Sequence, residues 1–202
     1  MNMKRGKAPD HYTDLAKKEG YPARSVYKLQ EINQKQPVLE PGNRVLDVGA
    51  APGSWSLWLS RRLGPDGEVV AVDLTPLSLE AQPGNITEIT GDIYDEQIQR
   101  RIADAGPYDA VVSDAAPSTS GNRTIDTSRS AGLVEFLLYM LPAWLAPDGA
   151  FVAKIFQGGE EQQLLGTLRK QFRSAKMFKP KACRKDSFET YLIGVGYRGE
   201  TD

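Results

Sequence analysis

The sequence has very little of two residue types on which many enzymes depend. Among 202 residues there is one cysteine, Cys183, and one histidine, His11. A single cysteine excludes a framework of disulfides within the chain and suits a reducing compartment. With one histidine and one cysteine we expect no zinc site of the usual kind, and we predict no metal. A serine or cysteine nucleophile would have to rely on that one histidine, which argues against both mechanisms.

Long apolar runs are also missing. The longest mainly apolar stretch, Leu133–Ala146, has 14 residues and contains Glu135 and Pro142, so it is too short to span a bilayer. The polar segment Met1–Asp10 lacks the apolar core of a secretory signal. We therefore expect a cytoplasmic protein that does not contact a membrane. The length suits one domain with a sizeable core.

The net charge is close to zero, but the charges are unevenly distributed. A formal net charge of −1 by itself argues against a strong electrostatic binder of RNA. However, Arg169–Lys185 carries eight basic residues and no acidic one, and Met1–Lys28 carries seven basic residues against three acidic ones. This pattern indicates either solvated faces or one surface that faces an anion such as RNA.

Apolar segments of two different periods alternate along the chain. Strands are predicted at Arg44–Gly49, Glu68–Asp73, Ile86–Thr90, Tyr108–Asp114, Gly149–Phe156 and Glu189–Tyr197. Helices are predicted at Tyr21–Gln34, Ser54–Leu63, Tyr94–Ala105, Ser130–Leu145 and Glu160–Phe172. This alternation favours an α/β domain with a mostly parallel sheet, in which the last strand forms an antiparallel edge. Residues 1–20 are predicted to be a flexible basic segment and residues 21–199 a single domain.

Polar residues stand at or just beyond the ends of the predicted strands. Asp73 ends the second strand, Asp92 follows the third, Asp114 ends the fourth, and Lys154 lies near the end of the fifth. Any one of these aspartates could instead cap a helix or belong to a turn. Ligands of open α/β sheets bind beyond the carboxyl ends of the strands. The set as a whole therefore predicts a site at this edge.

The connection between the first strand and its helix carries two glycines, Gly49 and Gly53, in the segment Asp47–Trp55. Neither the G-x-G-x-x-G fingerprint of dinucleotide-binding proteins nor a P-loop is present, which argues against a nicotinamide-dependent oxidoreductase. The pattern favours a ligand without phosphates. Asp73 is placed to accept hydrogen bonds from ribose hydroxyls, and Asp92 from an adenine amine. Together they point to S-adenosylmethionine.

Longer motifs support this interpretation. The segments DVGAAPGSWS, VAVDLTP, GDI, SDAAPS, VAKIFQG and SFETYLIGVGY, in this order, resemble those of the FtsJ/RrmJ (RlmE-type) ribosomal RNA 2′-O-methyltransferases, and SVYKLQEI resembles their first catalytic segment. The resemblance extends from about Ala23 to Gly199. It implies a Rossmann-like class I S-adenosylmethionine-dependent methyltransferase fold: a mostly parallel seven-stranded sheet with an antiparallel edge strand and helices on both faces. It also implies methyl transfer to a ribose 2′-hydroxyl, on a uridine of 23S-type large-subunit ribosomal RNA.

The resemblance also assigns site residues, position by position. It implies a catalytic tetrad of Lys28, Asp114, Lys154 and Glu189. It implies a cofactor site made of Gly49, Gly53, Ser54, Trp55, Asp73, Asp92 and Asp114. Two positions depart from the family pattern. Ser54 stands where a second glycine is usual, and Phe188 replaces a commonly polar or basic neighbour of the tetrad glutamate.

The expected chemistry explains why lysines are needed. A ribose hydroxyl is a poor nucleophile until its proton begins to leave, so the reaction needs a base and in-line positioning. A free lysine is protonated at neutral pH, but burial and a second ammonium nearby lower a lysine pKa. We predict that Lys154, with Lys28 close to it, is the base or orients the hydroxyl, while Asp114 and Glu189 orient the lysines. The alternative is that Lys154 reaches past the strand end into solvent.

Other readings stay open at the level of sequence. The same chemistry could act on transfer RNA or an mRNA cap, and the fold could serve as a ribosome-assembly factor without turnover. For the preferred reading we expect a monomer whose partner is large-subunit ribosomal RNA, either free or in an assembled ribosomal particle. The long Ser/Thr-rich segment Ala115–Ala131 is predicted to shape an RNA groove or a lid.

Overall fold

The computed structural model describes residues 11–118, 120–184 and 186–199. Within these ranges a seven-stranded sheet carries helices on both faces. The elements in chain order are α1 (His11–Lys18), α2 (Val26–Lys35), β1 (Arg44–Val48), α3 (Ser54–Leu63), β2 (Glu68–Asp73), β3 (Ile86–Thr90), α4 (Glu96–Asp104), β4 (Tyr108–Ser113), α5 (Arg123–Trp144), β5 (Leu145–Phe156), α6 (Glu161–Gln171), β6 (Phe172–Phe178) and β7 (Glu189–Tyr197).

The strand order places a crevice at the middle of the sheet. The order is β3-β2-β1-β4-β5-β7-β6, and β1 pairs in parallel with both β2 and β4. From β1 the chain first adds strands on one side and then, from β4 onward, on the other. The connections after β1 and β4 therefore leave toward opposite faces, and a crevice opens where the carboxyl ends of these strands lie side by side.

Two hydrophobic clusters cover the faces of this sheet. Alternate strand residues point to opposite sides, so Leu46 and Val48 of β1 join the cluster beneath α4, α5 and α6, while Val45 joins the cluster beneath α2 and α3. Complete burial of one such side chain contributes about 1.5–3 kcal/mol. Because both faces are covered, the central strands are apolar along nearly their whole length, as their sequences predict.

The predicted antiparallel strand is β7, which pairs antiparallel with β5 on one side and with β6 on the other. It lies at the predicted side of the sheet, but β6 is the outermost strand. The sequence pattern did not predict β6, because its residues belong to the basic stretch and only Phe172 is fully buried. Its pairing with β7, not its own pattern, makes it a strand.

The helix α5 begins earlier than its apolar pattern predicts. We expected it to start at Ser130, but the structure starts it at Arg123, and the connection after β4 is correspondingly shorter. The Asn122 side chain accepts hydrogen bonds from the backbone N–H groups of Thr124 and Ile125 and so caps the helix. The first two turns are mostly polar, which hides them from a search for apolar periodicity. Across the described residues, every helix is too short or too polar to serve as a membrane span.

The segment before α2 also differs from expectation. Residues 11–18, predicted to be flexible, form the helix α1, while residues 1–10 lie outside the described ranges. Ala16 is buried, and the rings of Tyr12 and Tyr27 lie 5.3 Å apart. A short helix with so few apolar residues gives a weak sequence signal, and its contacts with α2 supply the missing stabilisation.

One asparagine fixes the turn between α3 and β2. The Asn85 amide donates to the carbonyl groups of Ser60, Gly64 and Gly67, and its carbonyl accepts from the Ser60 hydroxyl at 2.6 Å. These carbonyl groups belong to the end of α3 and the turn after it. The carbonyl groups of Ser60 and Gly64 also accept backbone N–H groups, from Gly64 and Gly67, so Asn85 is a second donor to both. The start of β3 thereby holds the end of α3 against the sheet.

We predict that Asn85→Ala lowers the free energy of unfolding by about 1–3 kcal/mol, because it removes a partly buried group of four hydrogen bonds between Asn85 and the end of α3. Urea unfolding followed by circular dichroism measures this change. The matched control is Gln97→Ala on the exposed surface of α4, for which we expect a change of less than about 0.5 kcal/mol. If the two variants were equally stable, the Asn85 side chain would not stabilise the turn between α3 and β2.

A carboxyl group is buried inside the sheet at Asp47 of β1. Its side chain is 1% exposed, and Ser56 of α3 donates a 2.6 Å hydrogen bond to one oxygen. Among the described residues, the other oxygen has no hydrogen-bond partner. Burial, with a smaller contribution from the nearby carboxylates of Asp114 and Asp73, raises the pKa of Asp47 to about 7 against the opposing effect of the Ser56 hydrogen bond. The group is therefore partly protonated at neutral pH.

We predict that Asp47→Asn changes how stability depends on pH. In the unfolded chain this carboxyl has a pKa of about 3.9. Between about pH 4 and pH 7 the folded protein therefore binds more protons than the unfolded chain, so Asp47 makes stability fall as pH rises through this window. Asparagine does not titrate. The unfolding free energy of the variant minus that of the wild type should rise by about 1 kcal/mol per pH unit there. Urea titrations at several pH values measure this difference, and a constant difference would refute the raised pKa.

Candidate active site

The loop between β1 and α3 brings bare backbone to the crevice. Gly49 has a φ of 75°, and a Cβ built there would lie 2.5 Å from the Cβ of Ala115. Gly53 has a φ of 109° and its Cβ would lie 2.7 Å from the Leu79 side chain. Glycine is thus required at both positions, by backbone conformation and by space. The loop approaches the connection after β4 closely on one side and the segment after β2 on the other.

A cavity of about 660 Å³ opens beyond the carboxyl ends of β1, β2 and β4. Four residues that the sequence assigned to a cofactor site line it: Gly49, Asp73, Asp92 and Asp114. The cavity is therefore where the strand-end pattern predicted a site. Its wall is largely apolar with a few carboxylates, the usual character of a small-molecule pocket.

The carboxylate of Asp73 connects the two loops beside the cavity. Its Oδ2 accepts a hydrogen bond from the backbone N–H of Ala51 at 3.0 Å, and its Oδ1 accepts from the backbone N–H and hydroxyl of Thr75. Asp92, after β3, accepts from the backbone N–H of Tyr94 at 3.0 Å. Both carboxylates are held by backbone donors, so their positions at the cavity are fixed by the loops themselves.

Three other residues assigned to the cofactor site are not part of the cavity wall. Gly53, Ser54 and Trp55 lie at the start of α3, and the latter two are buried. The Ser54 hydroxyl accepts from the backbone N–H of Ala23 at 2.7 Å, and the Trp55 indole donates to the carbonyl of Ser25 at 2.9 Å. These contacts attach the segment before α2 to α3. A direct role of the three residues in cofactor binding stays a prediction.

The tetrad residues meet around Asp114. The ammonium nitrogen of Lys154 lies 3.2 Å from Asp114 Oδ1 and donates to the Asp114 backbone carbonyl at 2.6 Å. The ammonium nitrogen of Lys28 lies 3.7 Å from the same Oδ1, and 3.0 Å and 3.1 Å from the two carboxylate oxygens of Glu189. Two cations thus share one carboxylate oxygen, and Glu189 binds the outer one.

Strand pairing explains this arrangement. Lys154 is opposite Tyr191 in the β5–β7 pair, and Phe156 is opposite Glu189, so Lys154 and Glu189 lie on the same face of the sheet. Asp114 directly follows β4, whose last residue Ser113 pairs with the residue before Lys154. Helix α2 packs on this face and brings Lys28. The register of three strands and one helix contact therefore assembles the tetrad.

The tetrad side chains are shielded from water, with exposed fractions of 10–16%. Burial lowers the pKa of Lys28, but the charges of Asp114 and Glu189 outweigh this effect and hold its pKa above the ordinary value. Lys28 is therefore a fixed cation at neutral pH.

Tyr191 is a site residue that sequence reasoning missed. Its hydroxyl donates a 2.6 Å hydrogen bond to Asp114 Oδ1, and its ring is fully buried beside Trp55. Burial and the neighbouring Asp114 carboxylate raise the pKa of Tyr191 well above the ordinary value, so the phenol keeps its proton and donates it. The available signal was its spacing: in a strand, a residue two positions after Glu189 lies on the same face.

Further lining residues were also missed. They are apolar or aromatic residues that follow the strand-end aspartates, together with one arginine of α5: Leu74, Ile93, Tyr94, Pro117, Leu133 and Arg129. Leu74 is 69% exposed and Tyr94 is 54% exposed, so both present side-chain surface at the cavity. Their positions directly after Asp73 and Asp92 were a usable signal. Arg129 gave no such signal, because the first turns of α5, which contain it, were predicted to be a loop.

Solved structures with the same architecture are methyltransferases and fibrillarins. A Plasmodium falciparum chain solved as a ribosomal RNA methyltransferase matches with a TM-score of 0.77 at 24% identity, covering 89% of this chain and all of that one. Aeropyrum pernix fibrillarin, solved with S-adenosyl-L-methionine, matches with a TM-score of 0.60 at 18% identity, covering 85% and 76%. At such identities the likeness concerns the fold, and it confirms the predicted Rossmann-like methyltransferase architecture.

Sequence comparisons extend over almost the whole chain. The protein is 51% identical over 191 residues to the ribosomal RNA large subunit methyltransferase E of Treponema denticola, covering 95% of this chain and 96% of that one. It is 48% identical to the protein of the same name from Syntrophobacter fumaroxidans, covering 94% and 96%. Residues 21–197 match the model of the FtsJ-like methyltransferases. The chain therefore belongs to the FtsJ-like methyltransferase family.

Proposed function

We propose that this protein transfers a methyl group from S-adenosylmethionine to the ribose 2′-hydroxyl of a uridine in large-subunit ribosomal RNA. The observation that carries the proposal is the pair of lysines, Lys28 and Lys154, that share the Asp114 carboxylate at the border of the cavity. The family and the names of its relatives support a ribosomal RNA substrate. The tetrad supports a hydroxyl oxygen as the atom that receives the methyl group.

The cavity suits S-adenosylmethionine in size and in its largely apolar wall with a few carboxylates. Asp73 is placed to accept hydrogen bonds from the ribose hydroxyls, and Asp92 to accept one from the adenine amine. Leu74 and Ile93 provide apolar surface for the adenine ring, and Gly49 belongs to the part of the wall that would contact the amino-acid end. When bound, the molecule supplies a methyl group on a sulfonium, which is already a strong electrophile. The protein has to position and activate the hydroxyl.

Lys154 is placed to position and activate the ribose hydroxyl. An ammonium has three N–H donors, and the Asp114 carboxylate and the Asp114 carbonyl account for two of them. The third direction is available for the ribose hydroxyl. In the neutral form the lone pair of the amine points in that direction and accepts the hydroxyl proton as the new O–C bond forms.

Lys28 is a second cation beside Lys154. Its raised pKa keeps it protonated, so a fixed positive charge stands beside the Asp114 carboxylate that Lys154 also contacts. Glu189 keeps Lys28 in place, and Tyr191 keeps Asp114 in place. These three residues act on the reaction through the geometry and charge of Lys154.

The RNA meets a basic rim next to the tetrad. The segment from Lys179 to Arg184 carries exposed cations, and the Glu31 carboxylate of α2 accepts hydrogen bonds from the backbone N–H groups of Lys181 and Ala182. This fixes the basic segment to the helix that carries Lys28, so phosphates bound there lie close to the site. Other cations expected to contribute, including Lys4, Arg5, Lys7 and Lys185, lie outside the described residues.

Several expectations stay predictions: the monomeric state, the cytoplasmic location, and the assembled ribosomal particle as the form of the substrate. Transfer RNA and mRNA caps remain alternative substrates for the same chemistry. The mostly buried tetrad argues against an assembly factor without turnover. Burying four charged side chains lowers the stability of the fold, and a protein without catalytic activity gains nothing from them.

Labelled methyl transfer to undermethylated large ribosomal subunits tests the function. Parallel reactions contain free ribosomal RNA, transfer RNA and capped mRNA, and nucleoside analysis of the product separates 2′-O-methylated ribose from methylated bases. We expect 2′-O-methyluridine from the ribosomal substrate. Label on a base, or on transfer RNA or cap alone, would overturn the proposed reaction or the proposed substrate.

We predict that Lys154→Ala lowers kcat by about 10²–10⁴-fold, because the general base is removed. Lys154→Arg should be similarly inactive, since arginine keeps the charge but does not lose a proton at neutral pH. Calorimetry should give both variants near-normal affinity for S-adenosylhomocysteine. Lys35→Ala, which removes an exposed lysine of α2, is the matched control with wild-type kcat. An active Lys154→Arg variant would show that charge, not proton transfer, is the contribution of Lys154.

We predict that Asp92→Ala weakens binding of S-adenosylhomocysteine by about 10–100-fold, the range for a hydrogen bond to a charged group. The inosine analogue, which lacks the adenine amine, should bind the wild type about as weakly, and it should lose nothing further in the variant. Calorimetry measures all four combinations. Glu96→Ala, an exposed change on α4, is the control. If the variant discriminates between the two ligands as well as the wild type does, Asp92 does not accept a hydrogen bond from the adenine amine.

A further inference from the structure

A second cavity, of about 430 Å³, lies on the other side of the tetrad from the first. Lys28 and Glu189 belong to its wall, so it opens onto the outer ion pair of the tetrad. The remaining wall comes from the segment before α2 and from the residues between β6 and β7. Its volume suffices for one nucleoside, and one wall is shared with the tetrad.

The aromatic surface of this cavity is Phe188. The ring is partly buried, and two side chains that are not part of the cavity wall support it. The ring of Phe156 lies 4.7 Å away, centroid to centroid, and the guanidinium of Arg123 lies 5.2 Å from the Phe188 centroid. The ring is therefore held from outside the cavity while it contributes to the wall inside.

The backbone also fixes this ring relative to the catalytic lysine. The carbonyl of Phe188 accepts a 2.8 Å hydrogen bond from the backbone N–H of Gln157, three residues after Lys154. Phe156 lies on the same face of β5 as Lys154, and Phe188 directly precedes Glu189. Any ligand that contacts the Phe188 ring is thus within one nucleotide of the tetrad.

The charges of the cavity favour a nucleotide. Lys28 and Glu189 neutralise each other, and the other charged side chains of the wall are Arg24, Arg184 and Asp186, which gives an excess of one positive charge. An aromatic wall together with excess positive charge is what single-stranded RNA sites use: a base stacks on the ring and phosphates meet the cations.

We propose that Phe188 is a stacking platform for an unpaired base of the substrate RNA, at the target nucleotide or directly beside it. This rests on the proposed function and adds a specificity-determining contact to it. The base lies against the ring inside the second cavity, and the sugar of the target nucleotide then projects toward Lys154. Phe156 and Arg123 act as supports that keep the ring in place.

Steady-state methylation of undermethylated large subunits tests this role, with KM and kcat measured separately. Loss of one stacked base weakens binding by about 1–3 kcal/mol, which corresponds to about 5- to 150-fold. We expect Phe188→Leu, which keeps apolar packing against Phe156 but has no aromatic face, to raise KM within that range. Most of the loss in kcat/KM should therefore come from KM and not from kcat. Phe188→Tyr should keep a near-normal KM. The matched control is Tyr139→Ala, which removes a 79% exposed ring of α5 outside both cavities.

Two further measurements separate stacking from packing. Thermal unfolding and S-adenosylhomocysteine binding should be near normal in Phe188→Leu and Phe188→Tyr. If Phe188→Leu has the KM of the wild type, or if Phe188→Tyr loses as much as Phe188→Leu, the ring does not stack on a base and the proposal is wrong. Failure of the proposed function is distinct, since the wild type itself would then transfer no methyl to ribosomal RNA.

Discussion

The carboxylate of Asp114 is the interaction on which the site depends. One of its oxygens faces the ammonium groups of Lys28 and Lys154 and the hydroxyl of Tyr191. Buried cations are costly unless they are paired, and this carboxylate neutralises charge on both sides. Because Asp114 directly follows β4, the central parallel pair of the sheet sets its position. The protein can therefore hold two lysines side by side, although they repel each other.

The helix α2 is the part of the site that the sheet does not position by itself. It is attached through the segment before it: the backbone at Ala23 and Ser25 bonds to the side chains of Ser54 and Trp55 at the start of α3. The same α3 begins directly after the glycine loop of the cofactor cavity. A single short stretch of chain thus links the cofactor cavity to the helix that carries Lys28. This explains why Ser54 is accommodated where glycine is usual in the family, since its hydroxyl has a partner.

Much of the fold could be predicted from periodicity alone. The bounds of β2, β3, β7 and α3 match the expected segments, because buried strands and amphipathic helices leave strong patterns. Three elements that were missed or displaced, α1, β6 and the first turns of α5, are polar on most of their surface. Contacts with neighbours stabilise them: Tyr27 of α2 for α1, the β7 backbone for β6, and the Asn122 cap for α5. The predicted starts of two others were also wrong, since α2 begins at Val26 instead of Tyr21 and β5 at Leu145 instead of Gly149.

The sequence by itself determined the class of fold, the edge of the sheet that carries the site, and the residue types of the chemistry, because strand-end polarity and motif order are local properties of the chain. Only the tertiary structure decided how those residues meet. Lys28 and Glu189 are 161 positions apart, yet they are joined by a 3.1 Å hydrogen bond. The supporting roles of Tyr191, Glu31 and Phe156 likewise depend on strand register and helix packing. Distances between side chains from remote segments follow from the burial of apolar faces against each other, which a linear pattern does not record.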